Sequence, residues 1–97
     1  MAQRVRLEPA ARVDLFEAAA WYAEKADGLG RQFITVFDEA MSTIRDSPEA
    51  FPVVFNDVRR MVLRRFPFAV FYVMDESETV VLAVQHERRS PDRWPRG

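Results

Sequence analysis

Two apolar runs parted by a short polar break constrain this chain more than any other feature. Phe66–Met74 and Val80–Val84 are rich in Phe, Tyr and Val, and Asp75-Glu76-Ser77-Glu78 lies between them. A break of that size is hairpin-loop length. Phe68–Met74 is apolar on both faces, which suits a central strand. A third run, Met61–Leu63, comes just before. Arginine pairs stand at Arg59-Arg60, Arg64-Arg65 and Arg88-Arg89. The expectation is a greasy hairpin edged with guanidinium groups.

A chain of 97 residues is expected to form one domain, 1–97, with no room for a second core. Hydrophobic residues make up 48% of it, enough for a packed interior. The formal charge of −1 argues against coating nucleic acid through net charge alone. Its distribution is uneven: six cations face nine carboxylates in residues 1–50, and eight face six in 51–97. An anion-facing surface is therefore expected from the C-terminal half. Without cysteine there is no disulfide, thiolate nucleophile or Cys-ligated zinc, and the lone His86 excludes a multi-histidine site. Neither metal nor cofactor is expected. The start, MAQRVRLEP, has no signal-peptide apolar region. The run Phe66–Met74 falls far short of the roughly 18–20 residues a membrane helix needs. These features predict a cytoplasmic, soluble chain. Arginine outnumbers lysine thirteen to one, from a GC-rich genome or from selection for planar anion contacts.

Arg4-Val5-Arg6-Leu7 alternates as a short strand. Pro9 then suits a helix's first turn, where its missing N–H costs nothing. From Ala10 to Ala26, the residues Ala11, Leu15, Ala18 and Tyr22 fall on one helical stripe. Ala18-Ala19-Ala20 favours helix and lets a neighbour approach closely. Gly28 is a candidate left-handed cap. A second helix is predicted from Leu29 to Asp46, burying Phe33, Phe37, Ala40 and Ile44, with Val36 and Met41 widening the stripe; Ser47-Pro48 stops it. Joined by a tight Gly turn, the two helices predict an antiparallel hairpin. Ala50–Asp57 reads as an irregular link, and Ser90–Gly97 as a proline-broken tail.

The order β-α-α-β-β-β predicts an α+β domain, a helical hairpin covering one face of a small, mostly antiparallel sheet. Strand parity puts Met61 and Leu63 on the core side. Arg60, Val62 and Arg64 then project from a partly open second face.

Pro48-x-x-Phe51-Pro52, Arg59-Arg60, Phe66-Pro67-Phe68, Phe71-Tyr72 and Val81-Leu82-Ala83-Val84-x-His86-x-x-Arg89-x-Pro91-x-x-Trp94 together resemble the RelE/ParE superfamily of toxins. Ala11-x-x-x-Leu15, Trp21-Tyr22 and Arg31-x-Phe33 fit as well. These are toxins of type II toxin–antitoxin modules, often labelled plasmid stabilisation proteins. The resemblance implies a cognate antitoxin with an acidic, amphipathic C-terminal segment, and a toxin–antitoxin hetero-oligomer. It also implies one of two targets. RelE-like members cleave ribosome-bound mRNA without metal, whereas ParE-like members inhibit DNA gyrase and lack the nuclease residues. Cleavage by the ribose 2′-OH needs a proton acceptor, a cation for the phosphorane and a proton donor. RelE-like members carry basic residues near positions 60 and 62 and arginines near 69 and 87. Here Arg60 matches, while Val62, Ala69 and Glu87 do not, although Arg88 could stand in for the last. The nuclease set is depleted, and the resemblance leans to the ParE-like side.

Should the chain be a nuclease, its candidates are Arg60, Arg64, His86 and Arg88. The expected partner-binding residues are Arg60, Arg64, Arg88, Arg89, Arg93 and Trp94. His86 ends the last strand on the side of Leu82 and Val84 and reads first as a hydrogen-bonded strand-end residue. Tyr72 reads as core with its hydroxyl bonded, Trp21-Tyr22 as helix–sheet packing, and Trp94 as an anchor for the tail. Arg88, Arg89 and Arg93 could instead pair with Glu87 and Asp92. A gyrase-inhibiting toxin, an mRNA endoribonuclease and a decayed, non-toxic antitoxin-binding chain are the three functions that fit.

Overall fold

Pro9 starts the first long element where the sequence places it. A computed structural model of the chain describes residues 4–88. Its elements are β1 (Arg4–Leu7), α1 (Pro9–Lys25), α2 (Leu29–Asp46), a single 3-10 turn (Pro48–Ala50), β2 (Val53–Phe55), β3 (Val58–Val62), β4 (Phe68–Met74) and β5 (Glu78–His86). The strands form one sheet in the order β1-β5-β4-β3-β2. β1 runs parallel to β5, and the other three pairings are antiparallel. This is the expected α+β arrangement with one further strand.

The helical hairpin closes through Gly28, whose φ of 79° is easy only without a Cβ. Two residues on, Gly30 permits a close helix contact. A Cβ there would lie 2.6 Å from the Ala19 carbonyl oxygen and 3.0 Å from the Ala23 Cβ. The predicted stripes are buried: Ala11, Leu15 and Ala18 on α1, and Phe33, Val36, Phe37, Ala40 and Ile44 on α2. Tyr22 stacks on Phe33 with ring centroids 5.4 Å apart and meets Phe66 edge-on at 4.8 Å. These rings tie the helical hairpin to the start of β4. No helix among the described residues is long and apolar enough to cross a membrane.

Four expectations need correction. The link 50–57 is not wholly irregular, because Val53–Phe55 pairs with β3 across the turn Asn56-Asp57. Asn56 takes φ 48°, a conformation asparagine tolerates better than most residues. Arg59 accordingly lies inside β3 with Arg60 and does not flank it. Leu82 does not share a face with Val84. The β4–β5 register slips at Phe71/Tyr72, so Leu82 and Ala83 both join Phe71 on the far side, while Val81 and Val84 face the helices. Finally, the second sheet face is not an open arginine field. It carries Val58, Ala69, Phe71, Val73, Val80, Leu82 and Ala83, none more than 4% exposed.

Candidate partner-binding surface

Chain reversals, more than strand parity, decide where the arginines go. Arg60 sits within β3 opposite Phe71, so it does belong to the second face, where it is half-buried at the margin of the apolar cluster. Arg64 does not join it. β3 ends at Val62, the Leu63 N–H donates to the Phe68 carbonyl, and the chain turns with Arg65 at φ 71°. Alternation stops counting at that point. Arg64 swings to the helical side, where its Nε donates to Glu39 of α2 at 3.1 Å. Arg65 follows, its Nη2 donating to Gln32 Oε1 at 3.1 Å. A left-handed conformation costs a non-glycine residue roughly 1–2 kcal/mol, so the turn holds Arg65 toward α2 against a local penalty.

His86 lies at the other side of the same sheet end, across β4 from the turn that carries Arg64. It faces a cavity of about 300 Å³ between α1 and β5, lined also by Asp14, Glu17, Trp21 and Gln85. Its Nδ1 accepts the Arg88 N–H at 3.2 Å. Phe68 meets the ring edge-on at 5.7 Å. Asp14 has a structural task in this place. β1 runs out at Leu7, so the Val84 N–H has no strand partner there and donates to Asp14 Oδ2 at 2.9 Å. The reading of His86 as a bonded strand-end residue holds.

The four nuclease candidates are therefore not brought together. Arg60 is on the second face, Arg64 is held by Glu39, and His86 looks into a cavity that presents two carboxylates. A scissile phosphate placed at His86 would be repelled by Asp14 and Glu17. Arg88 is exposed and forms no ion pair with Glu87 or any other described residue. Arg89, Arg93 and Trp94 lie outside the described residues. No group of three or more metal-ligating side chains occurs among the described residues.

Sequence reasoning missed two surfaces. The first is the outer groove of the helical hairpin. Phe16, Ala19, Ala20 and Ala23 of α1 and Ile34 of α2 line a largely apolar depression of about 590 Å³. Phe16 is 58% exposed at its rim. Trp21 is also exposed, with the Lys25 ammonium 4.6 Å above its ring, so only Tyr22 of that pair packs between helix and sheet. A signal was present in the sequence. α1 is apolar on both sides, with Val13, Phe16, Ala20 and Trp21 off the core stripe, whereas α2 is sharply two-faced. The second surface is a basic corner. Arg31, Arg64 and Arg65 converge with Gln32 and Thr35 on a cavity of about 280 Å³. The turn at Arg65 creates it, and no local pattern announced that conformation.

The model of the ParE toxins of type II toxin–antitoxin systems, parDE, matches residues 5–91. The chain belongs to the ParE toxin family. Toxin ParE2 of Mycobacterium tuberculosis, from strain CDC 1551 / Oshkosh and from strain ATCC 25618 / H37Rv, is 32% identical over 93 residues in each case. The match covers 95% of this chain and 89% of the relative. A solved structure of the chromosomal ParDE toxin–antitoxin system from P. aeruginosa shares the fold, with a TM-score of 0.65 at 15% identity. That likeness covers 88% of this chain and 96% of the other. The ParE-like side of the resemblance is thus the right one, and the dispersal of the nuclease candidates agrees with it.

Proposed function

We propose that this ParE-family chain is the toxin of a two-component module, kept inactive by a cognate antitoxin and acting on DNA gyrase through protein contact. The observation that carries the reading is the separation of Arg60, Arg64 and His86 onto three surroundings, none of which gathers cations around a general base. A protein-contact toxin needs no such convergence. It needs a rigid scaffold and surfaces that a second protein can cover.

The outer groove of the helical hairpin supplies a seat for the antitoxin. Its occupant in this reading is an amphipathic helix whose apolar side chains lie between α1 and α2, a recurrent mode of peptide recognition. The basic corner at the groove's end favours an acidic partner over a basic one. The resulting hetero-oligomer would be cytoplasmic.

Induction of the chain in cells lacking antitoxin tests the reading, with growth and transcript ends followed together. Arrest with intact transcripts is the expected outcome. New 5′ ends within translated messages would make the chain an endoribonuclease instead, and unimpaired growth would make it a non-toxic antitoxin-binding member.

A further inference from the structure

We propose that the corner formed by Arg31, Arg64 and Arg65 is a carboxylate-binding subsite that takes the acidic end of the helix seated in the hairpin groove. The proposal rests on the reading of that groove as the antitoxin's seat and adds the contact that fixes the helix's direction and register.

Continuity is the first argument. Groove and corner share Arg31 and Thr35, so the two adjoin and one ligand can reach both the apolar lining and the guanidinium groups. Charge is the second. No carboxylate lines the corner, and Arg31 has no ion-pair partner among the described residues. Arg65 spends one donor on a neutral amide, Gln32, and keeps its full charge. Arg64 is already matched by Glu39, so the unspent capacity lies with Arg31 and Arg65. The start of α2 adds to it. The first turn has no acidic residue and no side-chain cap, although Asp27 lies just before the Gly28 N-cap. Planar guanidinium groups take carboxylates in bidentate fashion, which supplies geometry as well as attraction.

The same cations could in principle meet a phosphate backbone. The adjoining groove argues for a peptide, because Phe16, Ala20 and Ile34 offer a phosphodiester chain nothing.

The test uses the full-length chain and its cognate antitoxin, titrated against each other at low salt and at about 0.15 M salt, where screening extends over about 8 Å. Three toxin variants are compared: Arg31→Gln with Arg65→Gly, Arg31→Glu with Arg65→Glu, and Ala20→Arg. Glycine suits the φ of 71° at position 65, so the first variant removes charge without disturbing the turn. It is expected to weaken binding about tenfold or more and to flatten the salt dependence. The charge-reversed variant is expected to regain affinity when lysines replace the antitoxin's acidic residues beside its apolar helix face. Ala20→Arg, which fills the groove, is expected to abolish binding at every salt concentration.

Binding unchanged in both arginine variants but lost in Ala20→Arg would overturn the subsite and leave the groove standing. Full binding by Ala20→Arg would overturn the groove and the subsite with it. Loss of affinity for a single-stranded oligonucleotide in the arginine variants, with antitoxin binding intact, would reassign the corner to nucleic acid and overturn the proposal.

Discussion

At the scale of single residues, Arg59 and Tyr72 show how a sheet holds a loop. They are register partners on β3 and β4, and both reach the segment before β2. The Tyr72 hydroxyl donates to the Pro48 carbonyl at 2.6 Å, and Arg59 Nη1 donates to the Phe51 carbonyl at 2.7 Å. Tyr72→Phe is expected to lower stability by about 1 kcal/mol in chemical denaturation, the usual net worth of such a bond. Burial pushes the Tyr72 phenol above its ordinary value, with Arg59 pulling weakly the other way. The folded state therefore favours the neutral hydroxyl. Its contribution is complete below about pH 10, the ordinary phenol value, and is lost as pH rises through the raised one. The stability gap between wild type and Tyr72→Phe should narrow in alkaline buffer. Asp75 has the opposite sign. Its carboxylate accepts the Ser77 and Glu78 N–H groups, each at 2.9 Å, and these bonds hold it below the usual carboxylate range. That contribution is present above the ordinary aspartate value and fades as pH falls through the lowered one, so Asp75→Ala should lose more stability at neutral pH than in acid. The buried, bonded Tyr72 was legible from its apolar strand. Arg59 was not, because its work is done on carbonyls about ten residues away, beyond a turn the sequence does not specify.

At the scale of elements, the helical hairpin could be read closely from periodicity and the sheet only in part. Stripes of period 3.6 gave both helices and their buried residues, and Gly28 gave the turn. Gly30→Ala tests the closeness of that hairpin. Alanine gains about 1 kcal/mol in helix propensity. Against that, its Cβ would meet the Ala19 carbonyl oxygen and force α1 and α2 apart. Overpacking of this kind costs about 1–3 kcal/mol and is expected to win, giving a lower Tm. The sheet misled in two places, the slip at Phe71/Tyr72 and the reversal at Arg65, since a parity count fails wherever the register or the backbone changes hand. Arg65→Gly belongs to the same scale. Relieving the left-handed arginine should raise the stability of the free chain by up to about 1 kcal/mol, measured by thermal or urea unfolding. A gain in stability alongside a loss of antitoxin affinity would mark Arg65 as a residue retained for binding.

At the scale of the whole molecule, a five-stranded sheet buries an apolar cluster on each face, and the proposed contact surfaces lie on the helical hairpin and the β3–β4 turn. Membership of the family was legible in the ordered set from Pro48 to Trp94, and the choice of ParE over RelE in the absent basic residues at Val62 and Ala69. The binding surface was much less legible. Arg89, Arg93 and Trp94 fall outside the described residues, Arg60 lies on the second sheet face, and Arg64 lines a cavity with Arg31 and Arg65, which only the folded chain brings near it. The central claim, that this toxin acts by contact and not by cleavage, is tested most directly by DNA supercoiling with purified gyrase, wild-type toxin and His86→Ala titrated side by side. The account predicts inhibition of equal strength by both proteins. Supercoiling that continues undisturbed at large toxin excess would contradict it.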